Sequence, residues 1–146
     1  GSSAGGYISM MLCFDKRFLQ AVSLEPTDID GYIHDAGQPT SHFNVLKELG
    51  KDSRRVIVDE TAPMYFVGTS DHYSPMLFIV SDNDMFGRYE QTMLMINVLN
   101  HFGHKENVFL SVQNGKHCEY VCKKDEKGEG VFANLIIPFI DKVREK

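Results

Sequence analysis

The stretch PMLFIVSDND, Pro75 to Asp84, decides the fold. From Met76 to Val80 it is apolar without interruption. A strand with one face in water alternates apolar and polar side chains, whereas a strand covered on both faces has no need to. Pro75 removes a backbone donor where the run begins, and the polar Ser-Asp-Asn-Asp after it ends it. The stretch therefore reads as a buried parallel strand. Its carboxyl end carries two acids, Asp82 and Asp84.

Working outward, Glu90 to Phe102 (EQTMLMINVLNHF) is the strongest helix in the chain and stops before Gly103. Asn107 to Gln113 (NVFLSVQ) is a second buried-strand candidate, and Gly130 to Val143 an amphipathic helix interrupted by Pro138. Upstream, Thr40 or Ser41 is placed to cap a helix running to Leu49, with Gly50 as its stop. Ile29 to Ile33 reads as a short strand that enters a loop at His34 and Asp35, and Ala4 to Phe14 has the apolar content of a buried helix. Residues 51–67 admit either an extended or a helical reading. Strands alternating with helices imply βαβ units. The expected class is α/β, about three parallel strands with flanking helices, in one domain spanning 1–146.

Composition narrows the function. A length of 146 residues, 42% hydrophobic and 24% charged, suits one globular domain. A net charge of −5 without a long single-sign run lacks the concentrated positive charge that nucleic acid or an anionic membrane surface requires. The apolar runs fall far short of the roughly 20 residues that span a bilayer. Cys13, Cys118 and Cys122 make no disulfide framework; free, partly buried thiols are expected, with a Cys118–Cys122 pair as the alternative. His34, His42, His72, His101 and His104 read as surface, loop or satisfied core residues. No HExxH or CxxC spacing suggests a metal, and no cofactor is expected.

Three features carry chemistry. Gly1-Ser2-Ser3-Ala4-Gly5 matches G-x-S-x-G, in which the central serine sits on a strained turn leading into a helix. Flanking glycines leave that turn room, and the N–H of Ala4 is placed to donate to an oxyanion. The second feature is Asp82 and Asp84, beyond the carboxyl end of a strand, where parallel sheets collect functional groups. Either could hold an imidazole in its useful tautomer. The third is Asn114-Gly115-Lys116-His117, a loop histidine after a strand, suited to carry a serine's proton because its pKa lies near neutrality.

Taken together these segments resemble the α/β hydrolases of the lipase- and esterase-like branch. GSSAGG is similar to their GxSAGG elbow, PMLFIVSDNDMF to the strand that bears their acid, and NGKHCEY to the G-x-x-H loop that bears their base. The chain order Ser, Asp, His is also that family's. Ser81 stands where the family often has Gly, and the register of the resemblance assigns the acid to Asp84. The resemblance covers the chain from elbow to final helix, the C-terminal half of such a fold. It implies a carboxylic-ester hydrolase with Ser3 as nucleophile, Asp84 as acid, His117 as base and Ala4 as an oxyanion donor. Tyr7 and Met85 are candidates for the substrate pocket, and residues 35–73 stand where the family inserts a cap.

The chain opens without an initiator Met or a leading strand, so the first half of the sheet is expected upstream or on a companion chain, or else the chain pairs with itself. Alone, it is expected to be weak or inactive. The expected substrate is a small acyl or acetylated-carbohydrate ester. The alternative is a non-catalytic remnant serving interaction or oligomerisation. A nucleotide-binding domain is disfavoured, because GSSAGG lacks the lysine of a phosphate loop.

Overall fold

The computed structural model describes residues 1–145. Three parallel strands, β1 (Tyr32–Asp35), β2 (Met76–Ser81) and β3 (Val108–Gln113), lie side by side in that order. The register pairs Tyr32 with Met76 and Met76 with Val108. Every residue of the central strand β2 is buried, which is why its sequence has no alternation.

Both faces are covered. Against one lie the helices α1 (Ala4–Phe14) and α4 (Arg88–His101), closing a core of Met10, Phe14, Tyr32, Met76, Phe78, Met95 and Leu99. Against the other lies α5 (Val131–Arg144), whose Phe139 joins Leu77, Ile79 and Tyr120. Period-two side chains of β2 thus feed two cores: Met76 and Phe78 one way, Leu77 and Ile79 the other. Two shorter helices complete the set, α2 (Arg17–Gln20) and α3 (Phe43–Glu48).

Several details depart from the sequence reading, among them α4, which runs Arg88–His101 and not Glu90–Phe102. The first strand begins at Tyr32 and not Ile29, because residues 26–28 close a 3₁₀ turn and Ile29 donates back to Pro26. It continues through His34 and Asp35, which pair with Phe78 and Ile79 and do not lie in a loop. The α3 cap is His42, whose Nδ1 accepts from Asn44 N–H at 3.2 Å. Thr40 and Ser41 are engaged elsewhere: Thr40 donates to Gln91 and Ser41 to Asp59. Residues 51–67 form neither strand nor α-helix, only a 3₁₀ turn at Pro63–Phe66. Their extended valines, Val56 and Val58, stand exposed.

Candidate functional site

Residues 1–3 enter along β1. Ser2 bridges Asp35 in parallel, Gly1 O accepts from Asp35 N–H, and Ser3 N–H donates to Asp35 O at 2.8 Å. The chain then turns directly into α1. Ser3 takes φ 55° and ψ −115°. That conformation costs an L-residue energy and persists only where the surroundings enforce it. A Cβ at Gly1 would stand 2.4 Å from Gly5 O, so the leading glycine is obligatory. Gly5, expected to be equally constrained, has open space around it. The crowded position is Gly6, where a Cβ would meet Asp35 O at 2.5 Å and Gly37 N at 2.8 Å. The second small-residue requirement thus comes from helix α1 pressing on the loop after β1.

Asp84 follows β2 and His117 follows β3, and neighbouring parallel strands bring the two loops together. His117 Nδ1 lies 2.6 Å from Asp84 Oδ1, and His117 Nε2 lies 2.8 Å from Ser3 Oγ. The Asp84 side chain is fully buried and also accepts from Met85 N–H at 2.7 Å. The His117 ring keeps 24% of its exposure, so the imidazole is held from behind and open in front. Asp82 faces away from the imidazole. It accepts from Gly115 N–H at 3.0 Å and Asn114 Nδ2 at 3.1 Å, and so fastens the loop that carries His117. Ala4 opens α1, where the first N–H groups have no acceptor inside the helix.

A second tier holds this arrangement. Asp35, buried at the end of β1, accepts from the Ser2 hydroxyl through Oδ2 and from the Tyr120 hydroxyl through Oδ1. It ties the turn before Ser3 to the segment after His117. Burial lifts the Asp35 carboxyl above the ordinary carboxylate range, against those two hydroxyls, which favour the charged form. Nothing in the sequence singles out Asp35, since its partners are 33 residues upstream and 85 downstream. Cys118, the residue after His117, has Sγ at 3.6 Å from His117 Nε2. Burial, with Asp35 and Asp84 adding to it, pushes its thiol up to about 11, so it stays protonated at neutral pH.

Tyr7 and Met85 line different clefts. Tyr7 donates to Thr61 O and borders an apolar hollow on α1 with Met11 and Phe18. Met85, directly after Asp84, borders a cleft of about 490 Å³ with Gln38 and Arg88. Among the described residues no group of three His, Cys, Asp or Glu could hold a metal ion, and no helix is long and apolar enough to cross a membrane. Cys13, Cys118 and Cys122 are all free.

Sequence comparison finds no matching family model and no matching curated protein. Structural comparison finds the fold of the C-terminal portion of α/β hydrolases: a three-stranded parallel sheet with flanking helices. The chain is similar to Est2, a thermophilic esterase from the Planctomycetes species Thermogutta terrifontis, in its propionate-bound form (14% identity, TM-score 0.67, 98% of this chain and 54% of that one). The same esterase phosphoramylated by tabun gives 15% identity and a TM-score of 0.67, over 97% and 53%. Acylaminoacyl peptidase from Pyrococcus horikoshii gives 16% and 0.65, over 97% and 23%. The chain spans about half the length of the esterase it matches.

Proposed function

We propose that this chain carries the nucleophile, acid and base of a serine carboxylic-ester hydrolase, with Ser3, Asp84 and His117 in those roles. One observation carries the reading: an unbroken hydrogen-bonded relay from Ser3 Oγ through His117 to a fully buried Asp84, with the serine strained at the start of a helix. In the reaction Ser3 Oγ attacks the ester carbonyl while His117 Nε2 takes its proton. The alkoxide leaves with that proton, and an acyl-enzyme remains. Water then repeats the sequence and releases the acid. Asp84 orients the ring and stabilises the imidazolium. The N–H of Ala4 donates to the oxyanion.

This fold draws a second oxyanion donor from a loop before the nucleophile strand. Working with Ala4 alone would slow turnover by about 10²- to 10³-fold. The partner proposed for the 146-residue chain is therefore the first half of such a fold, packed beside Gly1–Ser3 on β1, with a second copy in its place when the chain is alone. Light scattering at micromolar concentration should then report a species larger than one chain; a monomer would refute the pairing.

The catalytic reading is tested with a fluorophosphonate probe, applied to this chain and to any longer polypeptide containing it. A single adduct on Ser3, abolished by Ser3→Ala and strongly slowed by His117→Ala, is expected. Folded protein that stays unlabelled would overturn the reading. The likeness to esterases supports an ester substrate, and a small acyl or acetylated-carbohydrate ester is the class proposed.

A further inference from the structure

The chain contains five arginines, Arg17, Arg54, Arg55, Arg88 and Arg144, and three of them line one cleft. That cleft, about 490 Å³, is of the size that takes a small organic ligand. No carboxylate lines it, although the chain as a whole is acidic at −5. Ser3, Asp84 and His117 are not part of its lining, but its wall includes Met85, whose N–H donates to Asp84 Oδ1 at 2.7 Å.

Arg88 is the unusual member. It is 3% exposed, and among the described residues no carboxylate lies within ion-pair distance of it. One Nη donates to the Ala36 carbonyl and the other approaches Met85 Sδ at 4.0 Å. A guanidinium has five N–H donors, and a buried cation is normally paired. Burial works against its charge, while the field of Asp84 supports it, yet the two form no ion pair: Asp84 Oδ1 receives His117 and Met85 N–H, and Oδ2 receives Ser81 N–H at 3.4 Å. The other two arginines differ: Arg54 is held by Asp52 at 2.7 Å, whereas Arg55 has no carboxylate partner among the described residues. Gln91 accepts from Thr40 through Oε1, which leaves its NH₂ group free to donate. Donors thus outnumber acceptors on this wall.

We infer that this cleft is the substrate pocket for an ester carrying a carboxylate, which Arg88 receives from below and Arg55 from the rim. A guanidinium fork matches a carboxylate in two parallel hydrogen bonds, and the low exposure of Arg88 makes such a pair stronger than a surface one. The inference rests on the serine hydrolase reading for the reaction, though not for the binding.

The experiment therefore has two parts. In Ser3→Ala, which cannot turn over, monomethyl succinate and the neutral methyl butyrate are titrated against the protein by NMR. The anionic ester should bind about tenfold more tightly or better, the worth of one charged hydrogen bond. In active protein, aryl hemisuccinate is compared with aryl butyrate, and 4-carboxyphenyl acetate with phenyl acetate. Whichever pair shows the preference identifies the acyl or the alcohol side. Arg55→Gln, exposed and unpaired, should reduce the anionic-to-neutral ratio several-fold. Arg88→Met should bring it near one, and the ratio is read in the fraction that folds.

Equal binding of anionic and neutral esters by Ser3→Ala, or ratios unmoved by Arg55→Gln, would overturn the inference. Loss of fluorophosphonate labelling would instead overturn the hydrolase reading and leave the binding result standing.

Discussion

Replacing Asp84 by Asn keeps the shape of the site and removes its charge, and the hydrogen bonds around it determine the outcome. Asp84 Oδ1 accepts from His117 at 2.6 Å and from Met85 N–H at 2.7 Å, while Oδ2 has only Ser81 N–H at 3.4 Å. An amide with its NH₂ toward Met85 would set donor against donor at the short distance. Turned over, it places NH₂ at the looser Ser81 contact and keeps its oxygen on His117. The second orientation is favoured, so the imidazole keeps its useful tautomer and loses only the carboxylate charge. An imidazolium and a carboxylate about 4 Å apart interact by about 4 kcal/mol at an effective dielectric of about 20. A neutral hydrogen bond retains about 1 kcal/mol of that. The difference, about 3 kcal/mol, is a loss of about 10²- to 10³-fold, less than the roughly 10⁴ that a wrong tautomer costs. The assay is the second-order rate of Ser3 phosphonylation, with ester turnover beside it. Asp82→Asn is the control; it weakens only the turn at Asn114 and Gly115 and should stay within about tenfold. Equal losses from the two substitutions in folded protein, or less than about tenfold from Asp84→Asn, would refute the assignment of the acid.

Gly6→Ala should destabilise the chain by about 1–3 kcal/mol through overpacking against Asp35 O and Gly37. Gly5→Ala, in open space within a helix, should be neutral or stabilise by up to about 1 kcal/mol; urea unfolding that ranks them the other way would contradict the packing of α1. His34 is fully buried among Phe14, Tyr32 and Phe78, and burial pushes its pKa down to about 3. The unfolded chain takes up a proton near 6.5 that the native one refuses, so stability falls as pH drops below 6.5, by about 2 kcal/mol at pH 5. His42 and His104 are also held low and add to the same slope, whereas the raised Asp35 opposes it. His34→Phe should flatten the pH dependence by its own share, and an unchanged slope would remove His34 from the account. Iodoacetamide at pH 7.5 should modify exposed Cys122 first and leave Cys118 and buried Cys13 largely untouched, as peptide mass mapping can show. Comparable rates at Cys118 and Cys122 would contradict the protonated, half-buried thiol.

How much of the fold is legible in the sequence depends on how local each cause is. The uninterrupted run Met76–Val80 can be read as a doubly covered strand, because burial on both faces is written into consecutive residues. Helix α1 is readable to the residue, Ala4 to Phe14, since the elbow fixes its start and Asp15 its end. The α3 cap escapes such reading. Thr40 and Ser41 are good caps by type, but their hydroxyls are taken by Gln91, 51 residues away, and Asp59, 18 residues away. His42, a residue type seldom expected to cap, takes the position instead. The segment 51–67 is ambiguous for a related reason: its valines have β propensity but no strand to pair with.

The same distinction runs through the site. Ser3, Asp84 and His117 each stand in a short motif at a strand end, and the parallel sheet carries the three ends to one place. Arg88 has no motif. It stands two residues before the helix that the sequence predicts from Glu90; in the structure it opens α4, where a cation runs against the helix dipole, whose positive end favours acids. A carbonyl displaced into reach keeps it: Ala36, held at φ 48° after β1, turns its oxygen toward the guanidinium while its N–H donates to Ile79. Arg55 reaches the same cleft from a loop whose path is set by Ser41 N–H donating to Ile57 O and by Asp59 receiving Ser41 and Thr61. The hydrogen-bonded group Ser3, His117 and Asp84 is thus determined by neighbours in sequence plus one sheet. The charge that would choose the substrate is assembled from three segments that only the folded chain brings together.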